Sequence, residues 1–372
     1  MKDIIVISAV NLVDGGPFSV LVDCLREISS SDIINRYRII ALVNSIKKMP
    51  ELDGVEYIEF PKAKKRYFYR FYYEYWGFKK LSKEIKPHLW LSLHDMSPRV
   101  NADIQAVYMH NVIPFYNPKL IDWRFVPINA IWAYLYIYLY KFNVHSNNYL
   151  VVQQDWLRKE FSKKLSFPKE KIVVARPRNI VDIIEPKNRS EAAVTSFFYP
   201  AYPRVFKNFE VICEAAKMLE QRGLQNFKVK LTIDGTENKY SKYLVEKYSG
   251  IKTLDFVGLV PRERMTDMYE EASCLLFPSK LESWGLPLSE FKPYNKPMIV
   301  ADLPYAHESV GGASSINFFD PENVEELALG MEQVISNELS NFVEVPEISL
   351  NEPSSQSWTE MFEVLLKESF KS

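Results

Sequence analysis

A chain of 372 residues is long for one hydrophobic core and suits two domains of ordinary size. Its 47% hydrophobic and 25% charged content belongs to a globular protein that can bury a core, and a formal net charge of -1 gives no whole-molecule field to attract nucleic acid. Cys24, Cys213 and Cys274 are widely spaced in apolar stretches, which reads as buried thiols in a reducing compartment and not as a disulfide framework or a zinc site.

Residues 4–10 form a continuous, β-branched apolar run, as in a parallel strand buried on both faces. That run is too short for the core of a secretory signal, so secretion is not expected. Asp14-Gly15-Gly16-Pro17 follows and leads into a helical pattern over residues 19–27. Strand, glycine loop and helix in this order let backbone approach a phosphate closely, although a Gly-Gly pair by itself serves equally as a plain turn. Residues 38–43 and 55–60 read as the next two strands.

Residues 62–86 carry nine basic side chains and nine aromatic ones against two acids, Glu74 and Glu84. The aromatics are not confined to one helical face. Two readings stand: a peripheral contact with an anionic membrane, or a crossover helix wedged against the sheet with its lysines solvated. Residues 89–93 are a strand ending in His94-Asp95, and residues 104–109 are another ending in His110-Asn111. Histidines at the carboxyl ends of parallel strands sit where open α/β sheets bind ligands. Residues 128–140 are apolar on every side; thirteen residues fall short of the roughly 20 a bilayer span needs, so a buried helix is expected. A strand at residues 149–152, a helix at 155–164 and a strand at 171–175 complete the first half.

The polar, proline-containing residues 176–193 are the expected interdomain linker. Beyond them a second series of strands and helices begins. Residues 195–199 are a strand, followed by a loop that carries Arg204 and Lys207, and Asn208 is expected to cap the next helix. Two cations at a helix N-terminus suit an anion, and two solvated loop cations are the alternative. Residues 227–233 end in Asp234-Gly235, and residues 253–257 end in Gly258-Leu259. The apolar run 272–277 is stopped by Pro278-Ser279, and the loop Lys280-Leu-Glu-Ser-Trp-Gly-Leu-Pro287 opens a helix. Glu282 and Glu290 bracket that turn. Eight residues of helix would separate them by roughly 12 Å, so they cannot share a proton; each can instead accept hydroxyls at opposite ends of one long ligand.

The segment from Phe277-Pro-Ser through Glu282-Ser-Trp-Gly-Leu to Glu290 resembles the signature of family 4 retaining glycosyltransferases (glycosyl transferases group 1). The likeness is continuous from about residue 196 to 333 and patchy before. It implies an α/β fold of two Rossmann-like domains facing across a cleft (GT-B): an acceptor domain over 1–175, the linker 176–193, a nucleotide-sugar domain over 194–353, and a C-terminal helix, 354–372, crossing back to the first domain.

On the family's pattern, Glu282 binds the donor sugar, Glu290 the ribose, Arg204 and Lys207 the diphosphate, and the Gly258-Leu259 loop the base. Gly15 and Gly16 lie near the diphosphate and the acceptor, and Ser283, Trp284, Gly285 and Leu286 line the donor site. His110 is the expected active-site histidine, with His94 its rival. The Arg204 to Lys207 spacing is shorter than the family's, which leaves Lys207 the safer of the two.

The chain has no Asp-x-Asp pair, so His110, Lys207 and Glu282 are expected to act without a metal or cofactor. The implied reaction moves a sugar, with retention, from a nucleotide diphosphate-sugar to a glycan acceptor that is lipid-linked. It belongs to bacterial surface polysaccharide synthesis, in the cytoplasm at the inner membrane face. A GT-B nucleotide-sugar epimerase and a non-catalytic sugar-nucleotide-binding subunit are the alternatives.

Overall fold

A computed structural model describes residues 2–176 and 194–367. The linker expected at 176–193 therefore lies, beyond Arg176, outside the described residues. The chain divides into two compact units: Met1–Pro114 with Tyr134–Arg178 and Leu350–Ser372, and Phe115–Ala133 with Asn179–Ser349. Each has its own parallel sheet.

In the first unit the strands are β1 (Asp3–Ser8), β2 (Tyr37–Val43), β3 (Val55–Glu59), β4 (Leu89–Ser92), β5 (Ile104–Tyr108), β6 (Tyr149–Val152), β7 (Ile172–Ala175) and β14 (Ser354–Ser355), in the order β14-β7-β6-β5-β4-β1-β2-β3. The central strands are apolar on both faces because both faces are covered. Ile5 and Ile7 enter one core with Leu21, Cys24 and Leu365, while Val6 enters another with Phe78 and Trp90. The order reverses between β1 and β4, the position at which open α/β sheets bind ligands.

The final helix, Trp358–Leu366, packs in this unit. Ser357 accepts the N–H of Glu360 at its start, and Met361, Phe362, Leu365 and Leu366 are fully buried against the Gly15–Ser29 helix and the sheet. Four such side chains contribute about 1.5–3 kcal/mol each. Arg158, itself buried, donates to the carbonyls of Asn351, Glu352 and Pro353 and so fixes the segment that delivers β14 to the edge of β7.

The second unit holds β8 (Thr195–Tyr199), β9 (Phe227–Leu231), β10 (Leu254–Phe256), β11 (Cys274–Phe277), β12 (Met298–Ala301) and β13 (Ile316–Phe319), in the order β10-β9-β8-β11-β12-β13. Here the reversal falls between β8 and β11, which pair through Cys274 with Phe197 and Leu275 with Phe198. Residues 115–133 pack with this unit: Phe125 lies against Tyr240 at 5.6 Å between ring centroids, and Tyr116 against Phe206 at 5.8 Å.

Two expectations need correction. The Pro127–Lys141 helix is not enclosed: Ala130, Ala133 and Tyr140 make its buried stripe, and Ile128, Tyr134, Leu135 and Tyr138 are exposed. The two alanines, three residues apart, let the backbone approach its neighbours, and apolar residues all round gave no sign of which face that would be. Asn208 does not cap the helix Phe209–Gln221 through its side chain. Its backbone is left-handed (φ 60°), and its amide donates to the carbonyls of Pro278 (3.3 Å) and Pro321 (2.8 Å), tying three loops together.

Candidate functional site

Because β8 and β11 are neighbours at the reversal, the loops that leave their carboxyl ends run side by side. The first makes a short turn, Val205–Lys207; the second makes an extended loop and then the helix Leu286–Phe291. The Lys280 N–H donates to the Phe206 carbonyl (2.7 Å) and the Tyr199 hydroxyl to the Lys207 carbonyl (2.8 Å), so backbone and core hold the two loops in register. Across them the Lys207 ammonium donates to Glu282 Oε1. Both side chains are mostly buried, and the ammonium lies about 6 Å from the Phe206 and Phe277 ring centroids, which favours its charge. A cation and a carboxylate thus meet where the strand order turns.

Glu290 is buried one turn into the following helix. Its Oε2 accepts from the Tyr269 hydroxyl (2.8 Å), and its Oε1 pairs with Arg262 at 2.5 Å. Burial, and then the Glu290 charge, push the Tyr269 phenol well above its usual range, so it stays a donor. The Arg262 side chain is exposed, so the pair links the buried carboxylate to solvent. Gly285 starts the helix at φ 83°, and a Cβ there would stand 3.3 Å from both Phe277 and Leu288. The helix spans only six residues, so its N-terminal field is that of a few first-turn N–H groups and not of a long dipole.

The remaining second-unit residues divide. Trp284 is buried, donating from Nε1 to Ser289 Oγ (2.6 Å) while its carbonyl accepts from Ser309, and so braces the loop from beneath; Ser283 is half-buried and Leu286 exposed. Arg204 is exposed, with its guanidinium 5.9 Å from the Phe206 ring centroid. Gly258 has φ 72°, and a Cβ there would meet Asp234 at 2.9 Å; its N–H donates to the Ile233 carbonyl, and Val257 and Leu259 on either side of it are exposed. A cavity of about 460 Å³ in this unit is lined by Tyr116, Lys119, Lys280 and Glu322 among others, but by none of Lys207, Glu282 or Glu290. Glu322 there sits 3.1 Å from Lys280 and 3.7 Å from Lys119.

In the first unit, Gly15 (φ 68°) and Gly16 open the helix after β1, and a Cβ on either would meet nothing within 4 Å. The two histidines differ. His94, after β4, is sealed in: its Nε2 lies 3.2 Å from Ser8 Oγ and 3.3 Å from Glu74 Oε1, and Arg70 reaches its Nδ1 (3.4 Å) and its carbonyl (2.6 Å). His110, after β5, is half-buried and stacks on Tyr108 at 4.4 Å; its ring Nε2 is buried with no hydrogen-bond partner. Its N–H and that of Asn111 donate to Asp95 Oδ1 (2.5 and 2.9 Å), and Asp95 takes a left-handed φ of 67° to receive them. Burial lowers the His110 imidazole below its ordinary value, with Asp95 opposing, so the ring is held towards neutrality.

Sequence reasoning missed Arg262, Tyr269 and the Glu74–Arg70–His94 cluster. Glu74 sits in a π-helical turn, Tyr73–Gly77, and burial raises its carboxyl to about 8 against the pull of Arg70. An acid that holds its proton more tightly when folded lends stability that is full below the unfolded carboxyl value and is lost as pH rises towards 8. His94, kept neutral by burial, acts in the opposite sense below 6.5. The clear window is therefore about pH 6.5 to 8, where Glu74→Gln should flatten the fall of melting temperature with pH. An unchanged slope would mean that Glu74 is ionised in the folded chain.

Residues 182–346 match the family model described as Glycosyl transferases group 1. Over 206 residues the chain is 21% identical to O-antigen chain mannosyltransferase B of Escherichia coli, covering 53% of this chain and 54% of that protein, about half of its length. Over 268 residues it is 22% identical to O-antigen chain mannosyltransferase RfbU of Salmonella typhimurium, covering 70% of each. Among solved structures it is similar to the lipopolysaccharide outer core galactosyltransferase WaaB (TM-score 0.64, 13% identity, 91% of this chain and 92% of that one). It is also similar to Anabaena HepE in complex with UDP-glucose (TM-score 0.61, 13% identity, 91% and 93%). The chain thus matches the glycosyl transferases group 1 model over residues 182–346 and has the two-sheet α/β fold of the GT-B glycosyltransferases to which it is similar.

Proposed function

We propose that the protein is a retaining glycosyltransferase that moves a sugar from a nucleotide diphosphate-sugar to a glycan acceptor, lipid-linked, in the assembly of a bacterial surface polysaccharide, at the cytoplasmic face of the membrane. The observation that carries this reading is the Lys207–Glu282 pair across the reversal of the second sheet, with Glu290 held by Tyr269 and Arg262 on the helix that follows. Carboxylates at two positions along one loop and helix suit the hydroxyls at the two ends of a sugar nucleotide, and the ammonium suits the diphosphate between them.

In the reaction, charge grows on the β-phosphate as the glycosidic bond breaks. Lys207, already fixed in place by Glu282, would share its protons with that phosphate and stabilise the leaving group without a metal. Glu282 would keep a sugar hydroxyl in register, Glu290 would accept the ribose hydroxyls, and Leu259 would flank the base. In the first unit, the unpartnered Nε2 of His110 is the group we assign to a sugar hydroxyl, which it would meet once the ring turns out of its buried position, and the uncrowded Gly15-Gly16 turn to close backbone approach. The mannosyltransferase relatives support the polysaccharide setting, and the UDP-glucose complex of HepE supports the donor class.

The test is a panel of nucleoside diphosphate sugars with and without glycan acceptors, in a chelating buffer, with the product's anomeric configuration read by NMR. Transfer with retention is expected. Inversion, or transfer that stops on chelation, would overturn the mechanism. Epimerised donor without acceptor, or binding with no turnover, would overturn the reaction.

A further inference from the structure

The first unit exposes several aromatic side chains close together. Phe68, Phe71, Tyr72 and Trp76 are exposed on residues 67–77, and Tyr138 and Phe142 are exposed at the end of the Pro127–Lys141 helix. The two groups touch: Phe71 and Phe142 are 6.2 Å apart between ring centroids, and Phe142 packs edge-on at 4.9 Å against Tyr75, which is buried. One continuous patch results, far from the scattered single apolar residues normal on a surface.

The charge on these segments is mostly positive, although Lys64 is paired with the exposed Asp14. Lys62, Lys65, Arg66, Lys80 and Lys83 are exposed on the segment 62–86, and Lys141 lies 5.9 Å from the Tyr138 ring centroid. Of that segment's two acids, Glu74 is buried and only Glu84 reaches solvent, and the Pro127–Lys141 helix has no acid at all. A second copy of the chain would set this basic rim against itself in a two-fold contact. A span is ruled out by length, since fifteen residues of helix reach about 22 Å, short of the roughly 30 Å of a hydrocarbon core. No helix among the described residues is long and apolar enough to cross a membrane.

We infer that this patch lies on an anionic lipid surface, with the tyrosine and tryptophan rings at headgroup level and the lysines and Arg66 against lipid phosphates. Amphipathic aromatics bordered by cations favour that boundary. The exposed face of the Pro127–Lys141 helix thereby acquires a purpose that its apolar composition alone did not reveal. Adsorption does not depend on the transfer reaction, so a failure of this inference and a failure of the proposed function are separable.

The experiment is co-sedimentation of the full chain with vesicles of phosphatidylcholine alone and of phosphatidylcholine mixed with phosphatidylglycerol. The most exposed rings, Phe68 (74%) and Tyr138 (66%), can be changed without opening a core, so the apolar variant is Phe68→Ser with Tyr138→Ser. The charge variant is Lys65→Ala with Arg66→Ala and Lys80→Ala. Binding is expected to the mixed vesicles only, to fall with salt, to weaken roughly fivefold per cation removed, and to be lost in the apolar variant, with melting temperatures and nucleotide binding unchanged. Wild-type protein that ignores anionic vesicles would overturn the inference. So would equal binding to neutral vesicles, or a concentration-dependent dimer that the apolar variant disperses.

Discussion

Lys207→Ala should slow sugar transfer on the order of a hundredfold or more, the usual cost of removing one donor aimed at developing charge. The ammonium is placed by Glu282 and by the Phe206 and Phe277 rings, and its loop is fixed by Tyr199, Asn208 and Lys280. Removing it also leaves a mostly buried carboxylate without its partner, which costs stability of its own. Lys207→Ala with Glu282→Gln removes both charges and separates the two effects. The double variant should melt closer to wild type than Lys207→Ala does and yet remain as slow. A merely structural pair would regain transfer along with stability, and near-normal turnover in Lys207→Ala itself would remove the residue from the site.

Glu290→Ala should weaken donor affinity more than about tenfold, in line with losing hydrogen bonds to a charged acceptor. Truncation alone cannot separate ligand from scaffold, because it also strands the Tyr269 hydroxyl in the interior at about 1–3 kcal/mol. Glu290→Gln supplies the control. The amide oxygen can still accept from Tyr269, so stability should return. A neutral amide has one acceptor oxygen where the carboxylate has two, so the grip on a pair of ribose hydroxyls should not. Recovery of donor affinity in Glu290→Gln would reduce Glu290 to a support for the Met265–Glu271 helix. Arg262→Ala, at an exposed side chain, should leave stability unchanged and lower donor affinity only modestly, because it acts through the orientation of Glu290.

The two parallel sheets were legible because buried parallel strands are short apolar runs closed by turn residues, as in residues 4–8 and 274–277. Lys207, Glu282 and Glu290 were singled out by the family resemblance of their segments, together with their place beyond the ends of such strands. Three features were hidden, each for a physical reason. The partners of Glu290 lie 21 and 28 residues upstream, and side-chain pairing over that distance follows from tertiary packing and not from any local pattern. The Pro127–Lys141 helix reads as core by hydrophobicity, but its buried stripe is made of alanines and a tyrosine. β14 is two serines, ordered by carbonyls that Arg158 gathers from the preceding segment, and nothing in Ser354-Ser355 announces a strand. His110 was preferred to His94 on the family's pattern; local sequence did not reveal that Glu74, Arg70 and Ser8 enclose His94, or that the buried Nε2 of His110 has no hydrogen-bond partner, because both follow from tertiary packing.

Calorimetric titration of a nucleoside diphosphate and its sugar conjugates into wild-type protein, Lys207→Ala and Glu290→Gln, in chelating buffer, bears on the switch-point site without requiring the acceptor. Saturable binding that both substitutions weaken by tenfold or more, at unchanged melting temperature for Glu290→Gln, is the predicted result. Equal affinity in all three proteins would place the nucleotide elsewhere and contradict the role given to the second unit.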